Sequence, residues 1–231
     1  DRRGTAYRKS GSLIAEKLGM LLVCPEFDRT RFDIDAYQHA GIIKTVKENG
    51  QQKIVAQPRE EWTAQYLEPI LDAVRRKEGK NLPYYLVGHS AGAQFVSRSA
   101  GFLPFKAERI VAVNPGSVLF PTRDQIYPYG FGGLPEEISN DDAIRRYLEA
   151  PLTFYCGTAD VTTKALPMDP PAMAQGTTRI ERGRNVYAFA KKLAEERGWK
   201  FNWRLVEAEG VDHGSVGMWA NPNARDAILG K

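Results

Sequence analysis

The chain has 231 residues, 42% hydrophobic and 26% charged, with a formal net charge of +4. That length supports one domain with a buried core and no need of disulfide staples. The mild charge is interspersed, as in Arg75-Arg76-Lys77-Glu78, and no apolar run approaches the roughly 18 residues of a membrane span, so neither nucleic acid nor membrane is expected as a partner.

In chain order, short apolar runs rich in β-branched residues alternate with helix-period segments, the signature of an α/β fold with a mostly parallel central sheet. Ser12 to Leu18 reads as a helix closing on Gly19, a residue suited to the left-handed cap position. Met20 to Pro25 is the first expected strand. Glu26 to Pro58 is polar and irregular, and is expected to be a long surface excursion. Trp62 to Lys77 spaces Trp62, Tyr66, Ile70 and Val74 as an amphipathic helix does. Tyr84 to Val87 is an expected buried strand, followed by Gly88-His89-Ser90-Ala91-Gly92 and a helix from Ala93 to Gly101. Arg109 to Val113 is a second buried strand, ending in Asn114-Pro115-Gly116. A loop rich in Pro, Gly and aromatics then runs from Ser117 to Pro135. Ser139 and Asp142 have the spacing of a capping box, opening a helix through Leu148. Leu152 to Cys156 and Phe201 to Val206 are the last strands, separated by a periodic helix from Asn185 to Arg197. The two cysteines, Cys24 and Cys156, both sit in strand-like runs and read as small buried hydrophobes.

The most informative feature is Gly88-x-Ser90-x-Gly92, because it lies directly between a strand and a helix. A serine on such a turn must take strained backbone angles, and the turn aims the helix N-terminus at developing negative charge. Ser90 is therefore the candidate nucleophile, with the N–H of Ala91 as an oxyanion-hole donor. A serine hydroxyl needs a base, and the chain has three histidines. His89 adjoins the serine and cannot fold back onto it, so it should fill space beside the turn. His39 is assigned a surface role. His213, after the last strand, is the candidate base. The orienting acid should end a strand lying between serine and histidine, which selects Asp160 in Gly157-Thr158-Ala159-Asp160. Asp212 adjoins the base and is poorly placed, and Asp169 lies further out among prolines.

With these residues placed, the chain resembles the α/β-hydrolase superfamily, and within it small bacterial esterase-like or polyhydroxybutyrate-depolymerase-like members. The stretches that carry the resemblance are Gly88-His89-Ser90-Ala91-Gly92-Ala93-Gln94-Phe95, Met173-Ala174-Gln175-Gly176 and Phe201-Asn202-Trp203-Arg204-Leu205. It implies one domain over residues 1–231 and a Ser90–His213–Asp160 triad acting on carboxylic esters. It further implies that the first N-terminal strands of the fold are missing, with Asp1 to Tyr7 as the remainder of a loop that would supply the second oxyanion donor. A trimmed version of a longer protein is the expected explanation, lost activity the other. The implied strand order puts Cys24 and Cys156 about four strand spacings apart, on the order of 19 Å, beyond the roughly 7 Å a disulfide allows, so both should be free thiols.

The loop after the strand ending at Val113 should border the mouth of the site, where Phe120, Tyr127, Tyr129 and Phe131 could line an acyl or alcohol pocket. They could equally pack the loop onto the body. No metal-ligand spacing, dinucleotide fingerprint or phosphate loop is present, so no cofactor or metal is expected. The leading expectation is a serine hydrolase cleaving esters through an acyl-enzyme. Amide or peptide hydrolysis on the same triad, and a non-catalytic binding protein that keeps the fold, are the alternatives.

Overall fold

The computed structural model describes residues 4–230. It opens with helix α1 (Gly4–Leu18), whose end is closed by Gly19 at φ +63°. A short turn of helix, α2 (Ile34–Tyr37), precedes an antiparallel hairpin, β1 (Ile43–Glu48) and β2 (Gln51–Ala56). Two 3₁₀ turns, Arg59–Glu61 and Thr63–Tyr66, lead into α3 (Leu67–Glu78). Then come β3 (Tyr85–His89), α4 (Ala91–Phe102) and β4 (Arg109–Val113). The next elements are α5 (Glu136–Ser139), α6 (Asp141–Glu149), β5 (Leu152–Gly157), α7 (Pro170–Met173) and α8 (Arg179–Arg197). Strand β6 (Arg204–Ala208) and helices α9 (Ser215–Ala220) and α10 (Ala224–Leu229) complete the chain.

Strands β3, β4, β5 and β6 form one sheet in that order, every pair parallel. This is the α/β architecture expected, with helices on both faces. Alternation along β4 shows how the sheet divides the core: Ile110 and Ala112 join one hydrophobic cluster with α4, α6 and α8, while Val111 and Val113 join a second with α1, α9 and α10. In the first cluster Trp203 packs on Tyr147 and Phe154, and its indole N–H donates to the Tyr147 carbonyl at 2.8 Å.

Several expected elements come out differently. Met20 to Pro25 is not a strand: among the described residues no strand pairs with it, the Met20 N–H donates back to the Ala15 carbonyl at 2.9 Å, and Leu21 and Val23 are exposed. An apolar run becomes a strand only through a hydrogen-bonded neighbour, which composition does not reveal. Cys24 is accordingly exposed, against expectation, while Cys156 is buried; both are free. Gly4 to Tyr7 is helical and not a loop remnant, and Asp1 to Arg3 lie outside the described residues. The Glu26 to Pro58 stretch contains the β1–β2 hairpin, turned by Asn49 and Gly50 at φ +52° and +80°, a pairing that suits the tight turns of hairpins. Trp62 sits buried between the two 3₁₀ turns, ahead of the helix it was assigned to. Asn140 caps α6 by accepting from the Ala143 N–H, whereas the Ser139 hydroxyl donates backward to Leu134 and Pro135 carbonyls. Val87 is exposed because β3 is an outer strand. Helix α8 begins six residues before Asn185, capped by Thr178.

Helix α8 lies close against β5 where Gly183 meets Cys156: a Cβ on Gly183 would stand 2.6 Å from the Cys156 Sγ. Gly183→Ala should cost about 1–3 kcal/mol by overpacking. The same substitution in a Cys156→Ala background should cost clearly less, which urea unfolding of the four chains of this cycle would measure. Equal losses in both backgrounds would show that the contact is not the cause.

Candidate active site

The C-terminal ends of β3, β4, β5 and β6 all point to one rim of the sheet, as parallel strands must. Ser90 stands at the turn from β3 into α4 with φ +56° and ψ −114°, a conformation that costs a non-glycine residue on the order of 1–3 kcal/mol. The turn is held by the Ser90 N–H donating to the Val113 carbonyl at 2.9 Å and the Gln94 N–H donating to the Ser90 carbonyl at 3.2 Å. Gly88 permits it: a Cβ there would collide with the backbone carbonyl of Gly92, so strand and helix could not approach this closely. Ala91 is the first residue of α4, and its N–H belongs to the helical turn that has no intrahelical acceptors.

The structure brings Ser90, His213 and Asp160 into one hydrogen-bonded line, although 123 and 53 positions separate the members of its two links. His213 Nε2 lies 3.0 Å from the Ser90 Oγ, and His213 Nδ1 lies 2.7 Å from the Asp160 Oδ2. The imidazole remains 30% exposed, enough for a reactant to reach it, while Asp160 is fully buried. Asp212 spends its Oδ1 on the Gly214 N–H at 2.8 Å, a local turn bond that leaves it no part in orienting His213. Asp169 caps α7 and accepts the Tyr129 hydroxyl at 2.7 Å.

Three residues that sequence reading did not assign to the site hold this arrangement. Asn114, at φ +47° just past β4, accepts from the Gly157 N–H at 2.8 Å and donates to the Asp212 carbonyl at 3.2 Å, clipping the ends of β4 and β5 to the loop of His213. A polar side chain ending a buried strand was its only signal. Arg179, 2% exposed, donates to the free oxygen of Asp160 at 3.3 Å. His89, taken for a space filler, donates from Nε2 to the His213 carbonyl at 2.8 Å, and its Nδ1 lies 3.3 Å from the Tyr7 hydroxyl. His39, expected at the surface, is instead half-buried, bonded to Asp35 at 2.9 Å and packed edge-on against Tyr127.

Of the four aromatics that could line the mouth of the site or pack the loop onto the body, three are built into the body. Phe131 and Tyr127 pack against Phe102, the Tyr127 hydroxyl donating to the His39 carbonyl, and Phe120 packs against Phe189. All three are at most 6% exposed, because a 19-residue excursion from Ser117 to Pro135 with little secondary structure needs its own anchors. Tyr129 is half-buried and tied to Asp169. Gln175 fastens the same loop by bonding both the N–H and the carbonyl of Val118, at 3.0 and 2.7 Å.

The chain matches no protein-family model and no curated protein. Among solved structures it is similar to poly(aspartic acid) hydrolase-1 from Sphingomonas sp. KT-1, with 35% identity and a TM-score of 0.83 over 94% of this chain and 80% of that one. It is also similar to the poly(3-hydroxybutyrate) depolymerase LpqC from Bordetella parapertussis, with 28% identity and a TM-score of 0.84 over 98% of this chain and 80% of that one.

Burial, and next the neighbouring His213, lower His89 to about 4. The unfolded chain takes up this proton below pH about 6.5, the folded chain only near 4. The stabilisation is therefore complete above pH 6.5 and is lost as pH falls toward 4, by on the order of 1–3 kcal/mol. Urea unfolding at pH 7 and pH 4.5 should show a smaller drop in His89→Asn than in the unaltered chain. An equally steep drop in the variant would remove His89 from the account.

Proposed function

This chain belongs to the α/β-hydrolase superfamily, as its similarity to the poly(aspartic acid) hydrolase shows, and from that premise we propose that it is a serine hydrolase cleaving carboxylic esters. In this reading Ser90 is the nucleophile, His213 the general base and Asp160 the acid that orients it. The observation that carries it is the unbroken line from the Ser90 hydroxyl through both ring nitrogens of His213 to a buried carboxylate, with each link at 3.0 Å or less. Nucleophile, base and orienting group within hydrogen-bond reach is the geometry that activation of a weak hydroxyl nucleophile requires.

The chemistry then follows. As the Ser90 Oγ bonds to the ester carbonyl carbon, its proton passes to His213 Nε2, and the carbonyl electron pair moves onto oxygen near the Ala91 N–H. The Asp160 carboxylate holds Nδ1–H in place and offsets the charge gained by the ring. Collapse of the tetrahedral species expels the alcohol, which takes the proton from Nε2 and leaves an acyl group on Ser90. Water then adds to the acyl carbon by the same proton route, releasing the acid and restoring the hydroxyl.

Polymeric esters suit the reading because the depolymerase LpqC shares the fold over nearly the whole chain. A second reading, hydrolysis of amide bonds by the same residues, is favoured by the 35% identity to a protein named for hydrolysing poly(aspartic acid).

A fluorophosphonate probe should label the chain, and Ser90→Ala should abolish the label. Asp160→Asn should lower ester turnover about 10⁴-fold, the loss that neutralising such an acid produces in the serine-protease triad. Rates on p-nitrophenyl esters, matched anilides and poly(aspartic acid) separate ester from amide hydrolysis. Labelling that survives in Ser90→Ala would overturn the assignment of the nucleophile.

A further inference from the structure

Arg179 occupies a place that its own helix does not favour. It is the first residue of α8, beside the Thr178 cap, where the helix macrodipole is positive and a cation is repelled. It is also 2% exposed, and removing a guanidinium from water is costly unless it is paired. Its partners all come from the segment that follows β5. Nη1 donates to the Asp160 Oδ1 at 3.3 Å and to the Thr162 carbonyl at 2.9 Å, and Nη2 donates to the Lys164 carbonyl at 2.7 Å. The two oxygens of Asp160 are thus divided, Oδ2 to His213 and Oδ1 to Arg179.

From this division we propose that Arg179 is a positioning residue for the hydrolytic reaction, its fixed positive charge holding the buried Asp160 carboxylate turned toward His213. The inference rests on the triad reading above. A cation at hydrogen-bond distance favours a carboxylate over its neutral acid. The two carbonyl bonds hold the guanidinium still, so the charge stays where Asp160 needs it.

Removing the cation has a defined sign. Whether Asp160 or His213 takes the proton, protonation of the pair becomes more favourable once the nearby positive charge is gone. The form with ionised Asp160 and neutral His213 is then lost at a higher pH. Three titratable neighbours bear on the readout. In the unaltered chain His89, on β3, is lowered to about 4 chiefly by burial, with Arg179 the last contributor, and Cys156, on β5, is pushed up to about 12 by burial. Arg182, one turn further along α8, is held by the Gly176, Gly116 and Pro167 carbonyls.

The test is the second-order rate of fluorophosphonate labelling as a function of pH, which needs no knowledge of the natural substrate. In Arg179→Gln the acidic limb should move up by about one pH unit, and the rate on the plateau should fall about 10-fold or more. Arg179→Lys, which keeps the charge and loses much of the carbonyl strapping, should hold its limb near that of the unaltered chain. Arg179→Met serves as the neutral variant if Arg179→Gln does not fold. Limbs at the same pH in neutral and charged variants would overturn the proposal, leaving Arg179 as a strap for the loop alone. A limb displaced as far in Arg179→Lys as in the neutral variant would overturn it too. No labelling of the unaltered chain at any pH would instead overturn the triad reading, and this inference with it.

Discussion

Asp160 has no contact with solvent, and an ionised carboxylate sealed in a protein interior costs several kcal/mol unless its oxygens are met by donors. Much of the surrounding architecture answers that constraint. His213 meets one oxygen from the loop after β6, and Arg179 meets the other from the first turn of α8. The loop of His213 is in turn tied down by Asn114 from β4 and His89 from β3. All four strands of the sheet therefore send a group to the same small volume, which parallel strands with a common C-terminal rim make possible.

Features whose cause is local could be read from the sequence. Strands β4 and β5 and helix α4 announce themselves by apolar runs and helical periodicity, and the Gly88–Gly92 turn by lying between a strand and a helix. What escaped depends on partners distant in the chain. Met20 to Pro25 has the composition of a strand but, among the described residues, no strand to pair with. Arg179 falls outside the helix expected from Asn185 to Arg197, and nothing local marks it until its burial against Asp160 is seen. Asn140 and Ser139 are both competent caps one position apart, and propensity alone does not choose between them. The aromatics of the Ser117 to Pro135 loop left pocket lining and packing onto the body equally open, and for Phe120, Tyr127 and Phe131 the packing contacts are the ones seen. Asn49-Gly50 is a local hairpin signal that the reading of Glu26 to Pro58 as an irregular excursion passed over.

Two further buried arginines show a second way of satisfying a cation. Arg98, without solvent exposure, donates to the Pro128 and Gln38 carbonyls, to Gln94 and to Ser117. Arg182 binds the Gly176, Gly116 and Pro167 carbonyls. Each gathers oxygens from segments remote in sequence, so long connections without regular structure converge on one planar group. The guanidinium fork, with five donors in fixed directions, is suited to this and an ammonium is not.

The β1–β2 hairpin faces water along most of its length, with Ile43 its only fully buried position. A two-stranded ribbon of that kind has little apolar burial to hold it closed. Its amide protons should exchange with solvent well before those of β4 or β5, and its tip is a natural place to graft a foreign epitope or a fluorophore without disturbing the sheet.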